Sequence, residues 1–159
     1  SRKNTVLLAR AAKLAKVPVL FLGKPYWETE EYYQQFRREV DNRFVIYEGY
    51  VPSERKVELL RGAKGFVLLS QQESGCIAVN EAAAAGLPML LSDLPWATAA
   101  YPRSEAICFT GAGSPECVAG ILRRFYDRAE RLSHPVFPVL SWQDVALRYL
   151  DVYRRILNR

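Results

Sequence analysis

The sequence predicts an α/β fold: a Rossmann-like parallel sheet with helices on both faces. Three observations predict it. Short apolar, often β-branched runs alternate with helix-period segments along the whole chain. Glycines such as Gly62 and Gly86 stand where helical patterns stop. One stretch, 65–92, reads as a complete strand, loop, helix and strand unit. Ligands of such sheets bind at the carboxyl ends of the strands.

The elements follow in order. Residues 5–16 carry Val6, Leu7, Ala11, Leu14 and Ala15 at helical spacing and form the first helix. Residues 17–23 are apolar and β-branched, the pattern of a buried strand. Residues 28–40 are polar, with Tyr32, Tyr33, Phe36 and Val40 at helical intervals, and read as a surface helix. Residues 44–47 form the next strand. Pro52-Ser53-Glu54 opens a helix to about Arg61, with Gly62 as its stop. Strand 65–69, helix 77–85, strand 89–92, a short helix at 95–100 and strand 106–109 come next. Ser114-Pro115-Glu116 starts a helix well, an N-cap serine before a proline at the first helical position, and it runs to about Glu130. Residues 133–140 read as a proline-bearing connector. Ser141-Trp142-Gln143-Asp144 opens a closing helix to about Leu157.

Composition limits the function. The 159 residues suffice for one domain with a real core, and residues 1–159 show no internal boundary or repeat. Hydrophobic residues make up 50% and charged residues 25%, as in ordinary soluble globular proteins. No apolar run reaches the roughly 18 residues needed to cross a membrane. The polar start reads as no signal peptide, and the absence of an initiator Met points to a fragment or processed chain. The net charge of +5 is scattered, which reads as a solvated basic surface and not a nucleic-acid patch. Cys76, Cys108 and Cys117 are too few and wrongly spaced for a disulfide framework or zinc site, so a reducing, cytoplasmic setting is expected.

The chemistry concentrates after Leu69. The turn lies at a strand carboxyl end and feeds a helix, whose first amides near Cys76 and Ile77 lack intrahelical acceptors and favour a phosphate. Gly75 has no side chain to obstruct backbone approach. Glu81 sits in the second helical turn, and helical side chains lean toward the N-terminus, so its carboxylate reaches a hydroxyl beside that phosphate. Glu73 lies in the loop on the other side. Two carboxylates flanking a phosphate repel it unless they pair with hydroxyls, and a ribose on one side with a hexose on the other meets that need. The structural alternative makes Glu73 a surface residue and Glu81 a helix-edge salt bridge. The two together, in this setting, favour a sugar nucleotide.

These residues resemble a known family. Glu73, seven residues, then Glu81 resembles the E-x7-E motif of retaining GT-B glycosyltransferases. Val79-Asn80-Glu81-Ala82 through Gly86-Leu87-Pro88 to Leu91-Ser92-Asp93 resembles glycosyltransferase family 4, the group 1 transferases. Arg2-Lys3-Asn4, Phe21-Leu22-Gly23, Tyr47 to Pro52, and Ser141-Trp142 to Tyr153 are similar to further landmarks in the same order. The match is to the C-terminal, donor-binding half of the GT-B fold. The resemblance implies that Lys3 contacts the donor diphosphate and Glu73 binds hexose hydroxyls, the pair serving catalysis. It implies donor contacts from Gly23, Tyr50, Val51, Ser74, Gly75, Cys76, Ile77 and the ribose-binding Glu81, with Lys56 a further candidate. It implies transfer of a hexose from a UDP- or GDP-sugar to an unknown acceptor, with retention and without a metal or other cofactor. An N-terminal acceptor-binding domain is expected outside this chain, which alone is expected to be inactive.

The chain departs from the family at several points. Gly75-Cys76 stands where the family has an aromatic residue and then glycine. Pro25, after Lys24, stands near the second glycine of the strand-end turn. Two other readings stay open: a sugar-nucleotide epimerase half-domain, and a non-catalytic nucleotide-binding or interaction domain. Cys76 is read as a packing residue, because no histidine lies nearby to act as its base. His134 is set aside as a general base. Asp93 is read as a helix cap. Arg123, Arg124, Arg128 and Arg131 are read as the solvated side of a helix, with a peripheral membrane or acceptor contact as the alternative.

Overall fold

The computed structural model describes residues 2–132 and 137–158. Its elements run α1 (Thr5–Ala15), β1 (Val19–Leu22), α2 (Glu31–Glu39), β2 (Val45–Gly49), α3 (Ser53–Gly62), β3 (Phe66–Leu68) and α4 (Ile77–Ala84), then β4 (Met89–Ser92), α5 (Pro95–Thr98), β5 (Ile107–Thr110), α6 (Pro115–Arg128), a 3-10 turn (Ala129–Arg131) and α7 (Trp142–Leu157). The alternating order and the wholly parallel pairing are those the sequence predicts. His134 lies outside the described residues, as does part of the expected connector.

Among the described residues, five strands form two parallel ladders, β1-β2 and β3-β4-β5. Val19 pairs with Val45, Phe66 with Met89, and Met89 with Ile107. β4 is the centre of its ladder, and all four of its residues are buried. Its Met-Leu-Leu-Ser run is the near-continuous apolar pattern of a strand covered on both faces. β1 differs from expectation. Phe21 is buried, but Leu20 and Leu22 on its other face are exposed. No described helix seals that second face, so the strand is apolar throughout and buried on one side.

One core cluster spans both ladders and holds Val17, Phe21 and Val45 with Leu69 and Leu90. α1 and α6 cover it and pack extensively on each other. Ala9, Ala11, Ala12 and Ala15 make the buried stripe of α1, and small side chains there let α6 bring Val118, Ala119, Leu122 and Phe125 close. A second cluster joins Val79 and Ala82 of α4 to Met89, Leu91, Ala97 and Ile107. The alanines of α4 thus let it lie against the sheet.

Side-chain caps fix the starts of α6 and α7. Ser114 Oγ accepts from the Cys117 amide, with Pro115 at the first position, as its sequence predicts. Ser141 and Asp144 form a full capping box at α7. α2 starts later than expected, at Glu31, because the preceding Trp27 carbonyl closes a turn on the Glu30 amide. α7 buries none of its residues against the described chain.

Candidate functional site

The loop after β3 is fixed before any functional side chain is placed. The Ser70 carbonyl accepts from Ser92 Oγ at 2.7 Å and from Trp96 Nε1 at 2.8 Å, which ties the end of β3 to β4 and α5. From the other side, the Gln71 amide donates to the Arg2 carbonyl at 2.7 Å. Asn4 Nδ2 donates to the Leu69 carbonyl at 2.8 Å. Asn4 adopts the left-handed conformation, φ 51° and ψ 31°, which asparagine tolerates better than most residues. The chain start is therefore strapped along the carboxyl end of β3.

That strap puts Lys3 over the loop. Lys3 Nζ lies 2.5 Å from Glu73 Oε1, and Arg2 Nη1 lies 3.7 Å from Glu73 Oε2. The Glu73 side chain is 8% exposed and that of Lys3 is 43% exposed. Burial pushes the Glu73 carboxyl up, but the hydrogen bond from Lys3 and the charges of Lys3 and Arg2 outweigh it, holding Glu73 below the usual carboxylate range. Both residues named as catalytic from the sequence thus meet, 70 positions apart.

Glu81 is met from another element. Lys56 Nζ of α3 lies 2.5 Å from Glu81 Oε1 of α4, both side chains about a third exposed. The sequence named both residues but not their pairing. Each acid of the site is thus matched with a lysine. Between the acids lies the N-terminus of α4, capped by Cys76 without a side-chain hydrogen bond. Ser74 and Gly75 are exposed beside it, and Ile77 is 52% exposed. A Cβ on Gly75 meets nothing within 4 Å. Cys76 packs into the second core cluster, and burial pushes its thiol up, against the lowering that a helix N-terminus gives an exposed thiol. This agrees with its reading as a packing residue.

The third part comes from the ends of β1 and β2. Gly23 has φ 122°, a backbone that favours glycine, and its amide donates to the Gly49 carbonyl at 2.7 Å. Tyr47 Oη donates to the Gly23 carbonyl at 2.8 Å. Burial and the neighbouring Tyr33 push the Tyr47 phenol up to about 12, so it stays a donor. Tyr50 is 74% exposed, and Lys24 Nζ stands 5.9 Å from its ring centroid. Val51 follows, half-buried.

Two readings change. Asp93 does not cap α5: its carboxylate pairs with Arg103 at 2.7 Å, and Leu94 takes the N-cap without a side-chain bond. Tyr101 enters the neighbourhood unannounced. It packs against the Cys76 cluster, and burial, with Cys76 and Glu73 nearby, raises its phenol. No periodicity marks such a loop residue. Among the described residues no three His, Cys, Asp or Glu side chains converge as metal ligands, and no helix is long and apolar enough to cross a membrane.

The fold is that of GT-B glycosyltransferase domains. AviGT4, a glycosyltransferase involved in avilamycin A biosynthesis, superposes with a TM-score of 0.64 at 24% identity, over 99% of this chain and 49% of that one. The catalytic domain of cholesterol-α-glucosyltransferase from Helicobacter pylori gives 0.63 at 20% identity, over 82% of this chain and 84% of that one. Anabaena HepE, solved with UDP and glucose, gives 0.60 at 15% identity, over 80% and 38%. The chain therefore spans about half the length of AviGT4 and less of HepE. The family model described as Glycosyl transferases group 1 matches residues 2–128, and the chain belongs to that family. No curated protein sequence matches it.

Proposed function

We propose that this chain is the donor-binding half of a retaining, family 4 glycosyltransferase that moves a hexose from a UDP- or GDP-sugar to an acceptor. The acceptor is held by a domain outside residues 1–159. One observation carries the reading: two acids, each matched with a lysine at 2.5 Å, bracket a helix N-terminus that no side chain caps. Aligned amides and the Lys3 ammonium suit a diphosphate, and the acids suit polyol hydroxyls on either side of it.

In this reading the donor diphosphate lies over Ser74, Gly75, Cys76 and Ile77, with Lys3 against its oxygens. Glu81 takes the ribose diol, and Glu73 takes hexose hydroxyls. Gly23, Tyr50 and Val51 border the nucleoside end. As the glycosidic bond breaks, negative charge gathers on the departing diphosphate. Lys3 and the helix amides stabilise that charge with fixed donors, the role a metal plays elsewhere, and the proposal needs none. HepE, crystallised with UDP and glucose, shares the fold. Turnover needs the acceptor half, and the cytoplasm is the proposed compartment.

The test is a thermal-shift screen against UDP, GDP, ADP and their sugars. A ligand at 100 times its Kd adds about 2.7 kcal/mol of stability. A shift with UDP or GDP compounds is expected. Absence of any shift, confirmed by calorimetry, overturns the donor-binding reading and leaves the non-catalytic one.

A further inference from the structure

Lys3 has two claims on it. In the structure it lies 2.5 Å from Glu73, yet in the donor reading above it must meet the diphosphate, while Glu73 must be free to accept hydroxyls. We propose that Lys3 couples the two subsites: an anion arriving at the α4 N-terminus draws the Lys3 ammonium off Glu73, and only then is the carboxylate open to the sugar. The inference rests on that donor reading.

The geometry carries it in three ways. First, the acid is enclosed and the cation is not, at 8% against 43% exposure. The pair presents its ammonium to the open side, so an incoming anion meets Lys3 before a hydroxyl reaches Glu73. Second, the Lys3 backbone is pinned on both sides, by the Arg2 carbonyl to Gln71 and by Asn4 to Leu69. The side chain moves while the strap stays, and a lysine stem has the rotamers for a short swing. Third, the exchange is balanced. A carboxylate left in an enclosed site without a partner is costly. Arg2 at 3.7 Å stays beside it, and sugar hydroxyls supply new donors.

The chemistry sets the order. A neutral hydroxyl does not displace an ammonium from a carboxylate, whereas a diphosphate carries more charge than the carboxylate and competes for it. Sugar alone therefore binds poorly, and diphosphate binding raises sugar affinity. By linkage, sugar raises diphosphate affinity by the same factor.

The experiment is calorimetric titration of wild type and Glu73→Gln with UDP and with UDP-glucose, using GDP and GDP-mannose where UDP does not bind. Glu73→Gln frees Lys3 and removes a negative charge, so UDP is expected to bind about fivefold tighter or better. UDP-glucose is expected to bind more weakly than to wild type, its hydroxyls having exchanged a carboxylate for a weaker amide acceptor that also presents an NH2 group. Opposite signs support the coupling. A fall in both affinities, or unchanged UDP affinity, overturns it. Wild type that binds neither diphosphate sinks the donor reading itself. A second measurement covers misfolding of Glu73→Gln: glucose binding to wild type and to Lys3→Met, with and without saturating UDP or GDP. Glucose is expected to bind wild type about fivefold tighter with the diphosphate present, and Lys3→Met to lose that dependence. Equal glucose affinity in wild type with and without the diphosphate overturns the proposal.

Discussion

Asn4 Nδ2 donates to the Leu69 carbonyl at 2.8 Å, and this bond sets where Lys3 stands. It joins the cap of α1 to the carboxyl end of β3. Asn4→Ala removes a part-buried hydrogen bond, costing about 0.5–1.5 kcal/mol, and imposes a left-handed penalty of about 1–2 kcal/mol. Asn4→Gly spares the backbone penalty. Urea denaturation is expected to rank wild type above Asn4→Gly above Asn4→Ala. Equal stability of the two variants would show that the backbone at position 4 carries no strain.

Lys56 and Glu81 are coupled but unequal. Each is about a third exposed, so their pairing contributes about 0–1 kcal/mol to stability. Lys56→Met is therefore expected to melt within a few degrees of wild type. Its UDP or GDP affinity is expected to change little, because Glu81 remains. Glu81→Ala removes charged hydrogen bonds worth about 1.5–3 kcal/mol and is expected to weaken binding by about tenfold or more. If Lys56→Met weakens binding as much as Glu81→Ala, the proposed ribose contact belongs to the pair and not to the acid.

Gly65 is required by packing, not by its backbone. A Cβ there meets the Phe125 ring at 2.9 Å and the Pro88 carbonyl at 3.2 Å. Phe125 is 5% exposed and has little room to yield. Gly65→Ala is expected to destabilise by about 1–3 kcal/mol. Adding Phe125→Leu should cost less than the sum of the two single changes, read as a coupling energy from denaturant midpoints. Strict additivity would show that Gly65 and Phe125 do not compete for space.

Acid should loosen the protein through Glu73 and Glu39. Burial raises both carboxyls. Lys3 and Arg2 lower that of Glu73, Arg10 and Lys13 that of Glu39, and both end below the ordinary value of 4.5. A depressed carboxyl contributes stability that is present above its unfolded pKa and is lost as pH falls through its folded one. The denaturant midpoint is therefore expected to hold steady from pH 7 down to about 5 and to fall below about 4.5. Glu39→Gln should flatten part of that fall. A midpoint that rises on acidification contradicts the assigned direction.

α7 should be energetically separate from the rest. None of its residues is fully buried, and its start is held by the Ser141–Asp144 capping box. Ser141→Ala is expected to lower helicity and speed proteolysis within α7, since a lost N-cap costs about 1 kcal/mol locally. Removing residues 141–159 is expected to leave the melting of the remaining domain almost unchanged. A large drop would reveal packing of α7 on the sheet.

The fold was readable because local and long-range signals agree. Met89–Ser92 is apolar on both faces and bounded by Pro88 and Asp93, and it forms the strand its sequence predicts. Ser114-Pro115 and Ser141-Asp144 announce helix starts through side chains that bond the first turn, and both helices begin there. The misreadings arise where a residue's partner lies far away in sequence. Leu20 and Leu22 look like core, but whether a strand's second face is covered depends on helices elsewhere. Asp93 looks like a cap until Arg103 claims it. In the candidate site, the placing of Glu73 and Glu81 on either side of the α4 N-terminus was legible from spacing within one loop and helix. A helix-edge salt bridge for Glu81 was one reading of the sequence, but its partner Lys56 was not legible, because the two lie 25 positions apart on different helices. Tyr101 was hidden for the same reason.

The strap at the chain start has a kinetic consequence. Lys3 and Glu73 are separated by 70 positions, and neither belongs to a helix or strand. Their encounter closes that whole intervening loop, so no local segment assembles the candidate anion site on its own. Under the proposed function, ligand affinity doubles as a sensor of complete folding: molecules with every helix formed but residues 2–4 displaced from the β3 loop are expected to pass a far-ultraviolet dichroism check and still fail to bind.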